Sequence, residues 1–432
     1  MKYVEILILY LLSLVFGNNI NTSYPLWVND ATIYEVNLRQ YSEEGTFHEF
    51  RKHLPRLKAM GVDILWFMPI HPIGKLNRKG LLGSYYSVKD YYEINDEFGT
   101  KEEFENLVHE IHQMGMYVII DWVANHTACD NQIVSMNPEW YTKNDLGKFQ
   151  PPPGTDWYDV YDLNYDNKDL WEYMINAMIY WIKDVDIDGF RCDVAGMVPA
   201  EFWNIASVKL NAVKPVFMLA ESEEPILLDY AFDADYNWGL YHIMKDIILG
   251  DSEITQIRSY YERPKKTYPK GALKMNFLDN HDENSWGRVM ADHFGETLYP
   301  FLTMVFTLPG IPMIYSGQES KIDHQLKFFD KDTIEWNDFS DSQFYQNLTM
   351  LRKNHSTFWS NNSNLKFLDN LPKGLIGYKR WDENSEVNAI FNFSKERVEI
   401  KTEFDRGKII FKDPKSIDRA ISSNGYLIFL SE

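Results

Sequence analysis

The run DVDIDGFRCDVAG, residues 184–196, sets Arg191 two places before Asp193 in a stretch that otherwise reads as a buried strand. In a strand residues i and i+2 share a face, so Arg191 and Asp193 lie side by side while Phe190, Cys192 and Val194 turn the other way. Charge in a core is costly unless it is paired. A guanidinium beside a carboxylate keeps that carboxylate ionised and fixes its orientation, as chemistry on a carboxylate requires. A purely structural ion pair would use the same two residues, so this segment leaves both readings open. Three further runs, IIDWVANH (119–126), MLAESE (218–223) and NFLDNHD (276–282), also gather polar and charged residues at their downstream ends.

The elements that must position these residues recur along the chain. Short runs rich in Val, Ile, Leu and Phe fall at 31–40, 61–70, 116–126, 187–196, 215–224, 230–238, 273–282 and 310–319. Between them lie stretches such as EEFENLVHEIHQMG and LWEYMINAMIYWIKDV, whose apolar residues recur at three and four as in amphipathic helices. This alternation gives a parallel sheet covered by helices, and eight units predict an α/β chain folded as a (β/α)8 TIM barrel over 25–358. The C-terminal strand ends of such a barrel open on one face, so the polar downstream ends converge there. Residues 127–166, with three successive prolines in FQPPPGTDWYDVYDLN, are too long for an ordinary βα loop and predict a short inserted subdomain after strand 3. Beyond SQFYQNLTMLRKNH the texture changes to short alternating runs, which predict a C-terminal all-β sandwich over 362–432.

A formal net charge of -20 with no concentrated basic face argues against a nucleic-acid partner. Hydrophobic residues at 45% and charged residues at 25% are ordinary soluble usage, which points away from disorder and from a multi-span membrane protein. Residues 1–17 carry Lys2, an apolar run from Ile6 to Phe16 and a small Gly17, the grammar of a cleaved export signal, with Glu5 as a blemish. The run is short for a bilayer, so the expectation is a secreted or periplasmic protein without a stable membrane anchor. Cys129 and Cys192 are the only cysteines, and a disulfide framework is not expected.

Several separate motifs, in order, resemble the alpha-amylase family of glycoside hydrolases over nearly all of the mature chain. DWVANH (121–126), GFRCD (189–193), MLAE (218–221) and FLDNHD (277–282) resemble the family's four conserved regions. GSYYSVKDYY, YDLN and GIPMIYSGQE are shorter matches. The resemblance implies cleavage of an α-glucosidic, mainly α-1,4, bond in starch or maltodextrins through an oxocarbenium-like transition state and a covalent glycosyl-enzyme intermediate. It makes Asp193 the nucleophile, kept ionised by Arg191, and Glu221 the general acid and base, its pKa raised by burial and nearby charge. Asp282 becomes the third acid, His126, His281 and Tyr86 contacts to the sugar, and Asp121 a support for Arg191. Retention of anomeric configuration would require Asp193 and Glu221 about 5 to 5.5 Å apart.

The chain departs from the family's calcium-dependent members where VAGMV follows Asp193, in place of the lysine and histidine that bind sugar and help to hold calcium. Asn125 matches a position that often ligates Ca²⁺, yet such an ion takes six to eight oxygens. The expectation is no required cofactor, with Ca²⁺ at Asn125 left open. An oligosaccharide α-glucosidase, acting on 1,4 or 1,6 bonds, or a transglycosylase is the enzymatic alternative, because a sugar hydroxyl can intercept the same intermediate. A catalytically silent barrel serving as a binding partner is the alternative of another class, though Asp193, Glu221 and Asp282 are all present.

Overall fold

The computed structural model describes residues 24–263, 268–336, 339–400 and 407–431. The export-signal segment 1–17 lies outside the described residues.

The eight apolar runs form eight parallel strands: β1 (Ile33–Val36), β2 (Ile64–Phe67), β3 (Tyr117–Trp122), β4 (Gly189–Cys192), β5 (Phe217–Ala220), β6 (Ala234–Tyr236), β7 (Leu273–Asn276) and β8 (Ile311–Tyr315). Each pairs with the next, and β8 pairs with β1, so the sheet closes into a barrel without an edge. The strands are buried along nearly their whole length because both faces are covered, by the packed interior and by the outer helices.

The helix Lys101–Gln113 shows how local sequence fixes an element. Thr100 and Glu103 form a reciprocal capping box, and Phe104, Leu107, Val108 and Ile111 supply the buried stripe at helical spacing. Gly189 opens β4 because a Cβ there would lie 1.9 Å from the Phe217 carbonyl oxygen. The backbones of β4 and β5 approach so closely that only glycine fits, and this seats Arg191 two residues on.

The insertion after β3 is small: a ribbon pairing His126–Ala128 with Val160–Asp162, the helix Gln132–Met136 and a turn of 3₁₀ helix at Pro138–Trp140. At the other end of the chain, strands β9 (Leu365–Phe367), β10 (Leu375–Trp381), β11 (Glu386–Asn392), β12 (Lys408–Lys412) and β13 (Gly425–Leu430) form one antiparallel sheet in the order β9-β10-β11-β13-β12. The expected sandwich has unequal layers. One face covers Leu368, Leu375, Ile390, Leu427 and Phe429 with Ile400 and Ile421, which lie beside a two-stranded ribbon of Val398–Glu399 and Ala420–Ile421. The other packs on the barrel helix Leu298–Thr307, which is apolar nearly all round because it is enclosed on both sides. The Tyr378 and Thr307 hydroxyls meet at 2.6 Å, Arg380 donates to the Thr307 carbonyl at 2.8 Å, and Phe301 and Phe393 rings lie 4.7 Å apart.

Candidate active site

Every residue singled out in the sequence stands at the C-terminal rim of the barrel or just beyond it. Asp121 is the penultimate residue of β3, in register with Arg191 on β4, Asp193 follows β4 by one residue, and Glu221 follows β5 by one. Tyr86 comes from the connection after β2, His126 from the ribbon after β3, and His281 and Asp282 from the turn after β7.

Arg191 is fully buried and organises the centre. Its Nη1 donates to Asp121 Oδ1 at 2.9 Å and to Asp193 Oδ1 at 3.1 Å, while Nη2 lies 2.9 Å from Glu221 Oε2. That last contact has ion-pair distance without hydrogen-bond alignment. Nε donates to the Tyr236 hydroxyl at 3.0 Å. The sequence reading gives Arg191 two carboxylates, Asp193 and Asp121, and the structure adds a third, Glu221.

This sharing decides the electrostatics. Burial pushes the Asp193 carboxyl well above its usual range, the charge of Glu221 pushes the same way, and Arg191 only opposes them. Arg191 therefore orients Asp193 and opposes the loss of its charge, with its attraction divided among neighbours. Burial likewise raises Asp121 to about 6 against the pull of Arg191. Asp121 and Asp193, both buried beside one shared cation, are thus raised together.

Glu221 is held through a single oxygen. Its Oε2 accepts the Val194 N–H at 2.8 Å besides facing Arg191, so both contacts fall on the same oxygen. Val194 reaches this position with φ 36° and ψ 47°, a left-handed conformation that a β-branched residue adopts only at a cost of about 1–3 kcal/mol. The strain aims its N–H at Glu221 directly after Asp193.

On the opposite side, the Tyr86 hydroxyl lies 3.1 Å from Asp121 Oδ2 and 2.7 Å from His281 Nε2. His281 Nδ1 meets Glu35 Oε1 at 2.5 Å, and its Nε2 lies 3.4 Å from Asp282 Oδ2. Burial alone would lower His281, but the charges of Asp282 and Glu35 outweigh it and raise the ring to about 9. Burial pushes Glu35 up as well, with the charge of His281 pulling against it, so the shared proton is held firmly and the attraction of the pair places it on the histidine. Asp282 is the most open of the acids, its side chain 41% exposed. The Asn280 side chain fixes its backbone by accepting the N–H groups of Asp282 and Glu283 at 3.0 and 2.8 Å. His126 is different: burial lowers it to about 3, so it stands neutral, against the ring of Trp157 at 5.3 Å.

Four contributors escape the sequence reading. Glu35 on β1 and Tyr236 on β6 are strand residues that read as barrel filling, and Trp66 on β2, which donates to Asp121 Oδ2 at 3.3 Å, reads as core. The fourth is an aromatic file leading from Tyr86, which stacks on Phe328 (6.2 Å, 13°), to Trp286, 5.3 Å from Phe328. The 60% exposure of Trp286 has no sequence signal beyond its residue type.

A cavity of about 380 Å³ lies beside Asn125, lined also by Asp162, Asn164 and Asp166. Asp162 Oδ2 is already taken by the Thr142 hydroxyl at 2.7 Å, and Asn125 sets its amide 3.4 Å from His126 Nδ1. Among the described residues no three His, Cys, Asp or Glu side chains converge on one point. A calcium ion takes six to eight oxygens, and the carboxyl and amide side chains at this cavity are those of Asn125, Asp162, Asn164 and Asp166.

A closed parallel barrel with acids gathered round one arginine at the C-terminal strand ends defines the class: a (β/α)8-barrel enzyme with a carboxylate centre. A family model described as alpha amylase, catalytic domain, matches residues 24–161 and 156–230. The chain belongs to the alpha-amylase family of glycoside hydrolases. It is similar to the crystal structure of an alpha-amylase from Lactobacillus plantarum, with a TM-score of 0.83 and 31% identity, covering 94% of this chain and 100% of that one. It is also similar to a noncanonic maltogenic alpha-amylase, AmyB, from Thermotoga neapolitana, with a TM-score of 0.80 and 32% identity over 94% and 97% of the two chains. The alpha-amylase MalA of Haloarcula japonica is 25% identical over 393 residues, 86% of this chain. The chain spans 56% of the length of that longer relative.

Proposed function

We propose that the chain is a retaining glycoside hydrolase that cleaves α-glucosidic bonds, mainly α-1,4, in starch, maltodextrins or related α-glucans. The observation that carries this reading is that Asp193 and Glu221, one residue beyond adjacent strands, both face the terminal nitrogens of a single guanidinium. Two carboxyl groups held close on one side of a barrel mouth suit attack on an anomeric carbon by one and protonation of the departing oxygen by the other.

In this reading Asp193 attacks the anomeric carbon as Glu221 Oε1 delivers its proton to the glycosidic oxygen. The bond to the leaving sugar breaks and a glycosyl ester forms on Asp193. Glu221, now ionised, takes a proton from water, whose oxygen displaces Asp193 with a second inversion. Asp282, His281 and His126 grip the hydroxyls of the distorted ring, and Tyr86 lies against it. Interception of the ester by a sugar hydroxyl would make the protein a transglycosylase, and acceptance of short substrates alone an oligosaccharide α-glucosidase. This reading requires no cofactor, because the carboxyl groups supply both the attack and the proton. A secreted or periplasmic location rests on residues 1–17.

The test is the anomeric form of the first product, read by proton NMR in wild type and in Asp193→Asn. Wild type should release the α-anomer, and the variant should lose on the order of 10³-fold or more in kcat while keeping its fold. Release of the β-anomer, or an unchanged variant, would remove the mechanism. A folded wild type that cuts no α-glucan would favour the silent binding role.

A further inference from the structure

The loops on one half of the barrel mouth are joined edge to edge. Residues 75–83, after β2, bind the inserted subdomain through Asn77 to the Tyr158 carbonyl at 3.2 Å and Lys79 to the Asp156 carbonyl at 3.3 Å. The same segment binds the loop after β8. The Leu82 and Gly83 N–H groups donate to the Phe329 carbonyl at 3.0 and 3.2 Å, Leu81 N–H to Asp330 at 2.7 Å, and Arg39 ties Gly83 to Phe328. That loop in turn holds the turn after β7, through Leu326 N–H to Asn284 Oδ1 and Gln325 to the Gly287 carbonyl, both at 2.9 Å.

Aromatic rings run along this wall. From Tyr86 they run through Phe328 to Trp286 and Phe329, whose rings lie 5.6 Å apart, and on to Lys79, set over Phe329 at 5.9 Å and over Tyr158 at 4.7 Å. Trp286 and Tyr158 are each 60% exposed. Exposed aromatic rings beside a polar centre are suited to stacking on sugar faces. The connections after β4 and β5 are built differently. Among the described residues no hydrogen bond or ion pair joins 194–232 to 75–83, 284–287 or 325–330, and Met197, Ile226 and Tyr230 stand exposed there.

The chemistry orients a substrate between this wall and those connections. The acid protonates the departing oxygen, so the leaving part of the chain lies on the side of Glu221, towards the open loops. The attacked ring lies against Tyr86, His281 and Asp282, and whatever precedes it on its non-reducing side meets the wall. Resting on the hydrolase reading above, we propose that the enzyme acts from the non-reducing end of the glucan, with Trp286 and Phe329 as the stop that fixes a short product length.

The test uses the full chain and maltoheptaose carrying a fluorescent tag at its reducing end, with products resolved in the first turnovers. Wild type should release one short untagged product and leave a tagged remainder shortened by that length. A second maltoheptaose with its non-reducing 4- and 6-hydroxyls blocked should be cut about tenfold more slowly or worse, because the blocked ring collides with the stop. Trp286→Ala and Phe329→Ala should release longer and mixed products. A random spread of tagged lengths from wild type, or equal rates on free and blocked substrates, overturns the proposal and leaves the hydrolase reading standing. Absence of any cleavage of either substrate overturns both.

Discussion

Asp121 and Arg191 are in-register partners on β3 and β4, and their side chains meet at 2.9 Å with both residues fully buried. Asp121 also takes the hydroxyl of Tyr86 and the indole of Trp66, so it supports the cation and the sugar-facing ring together. Asp121→Ala would take the acceptor from the Trp66 indole and from one Arg191 contact, and a buried donor left unsatisfied costs about 1–3 kcal/mol. Urea denaturation should show that loss, and a loss under 1 kcal/mol would mean water replaces the carboxylate.

Glu221 acts on the leaving group, so its removal should be felt in proportion to how much help that group needs. Glu221→Gln should lower kcat about 10²–10⁴-fold on maltooligosaccharides. On an aryl α-glucoside whose phenol departs without protonation, formation of the intermediate should be much less affected. Equal losses on both would assign Glu221 to binding.

His281 is raised from an ordinary 6.5 to about 9. A histidine whose folded value exceeds its unfolded one contributes stability that is complete below pH 6.5 and disappears as pH rises through about 9. Wild type compared with His281→Gln should lose its advantage over that window by up to about 1.4 kcal/mol per pH unit. A pH-independent difference would show that the ring is neutral.

His126 has the opposite sign, lowered by burial from 6.5 to about 3. The unfolded chain takes up its proton first, so this site loses stability as pH falls below 6.5, and His126→Gln should flatten the acid limb by up to about 1.4 kcal/mol per pH unit. Thermal melts from pH 7 to pH 5 of the two proteins would resolve the slope.

Chelation provides a separate check on the cavity beside Asn125. Dialysis against excess EDTA should leave Tm and kcat unchanged, because the proposed chemistry runs on carboxyl groups alone. A fall in Tm restored by added calcium would show that backbone carbonyls and water make up the missing oxygens.

The barrel was legible because each strand is a compact apolar run closed by polar residues, and Asp121, Arg191, Asp193 and Glu221 stand within one residue of those run ends. Glu35 was not, for its partner His281 lies 246 residues away and the two meet only through barrel closure. Tyr236 is hidden in the same way: its hydroxyl receives the Nε of Arg191 from two strands along the sheet. The division of Arg191 among three acids depends on side-chain reach across strands, which strand periodicity does not encode. The wall around Trp286 depends on how four connections meet, and no single one of them carries its signature.

The sheet of β9 to β13 has a practical meaning for anyone wishing to dissect the chain. Its inner face is the outer jacket of the Leu298–Thr307 helix, and Arg380 reaches through to a carbonyl of that helix. A fragment ending near residue 361 would bare a greasy scar along a helix that has no polar side to offer water. Such a fragment should precipitate, and grafting the barrel onto another tail would succeed only if the sheet travelled with it.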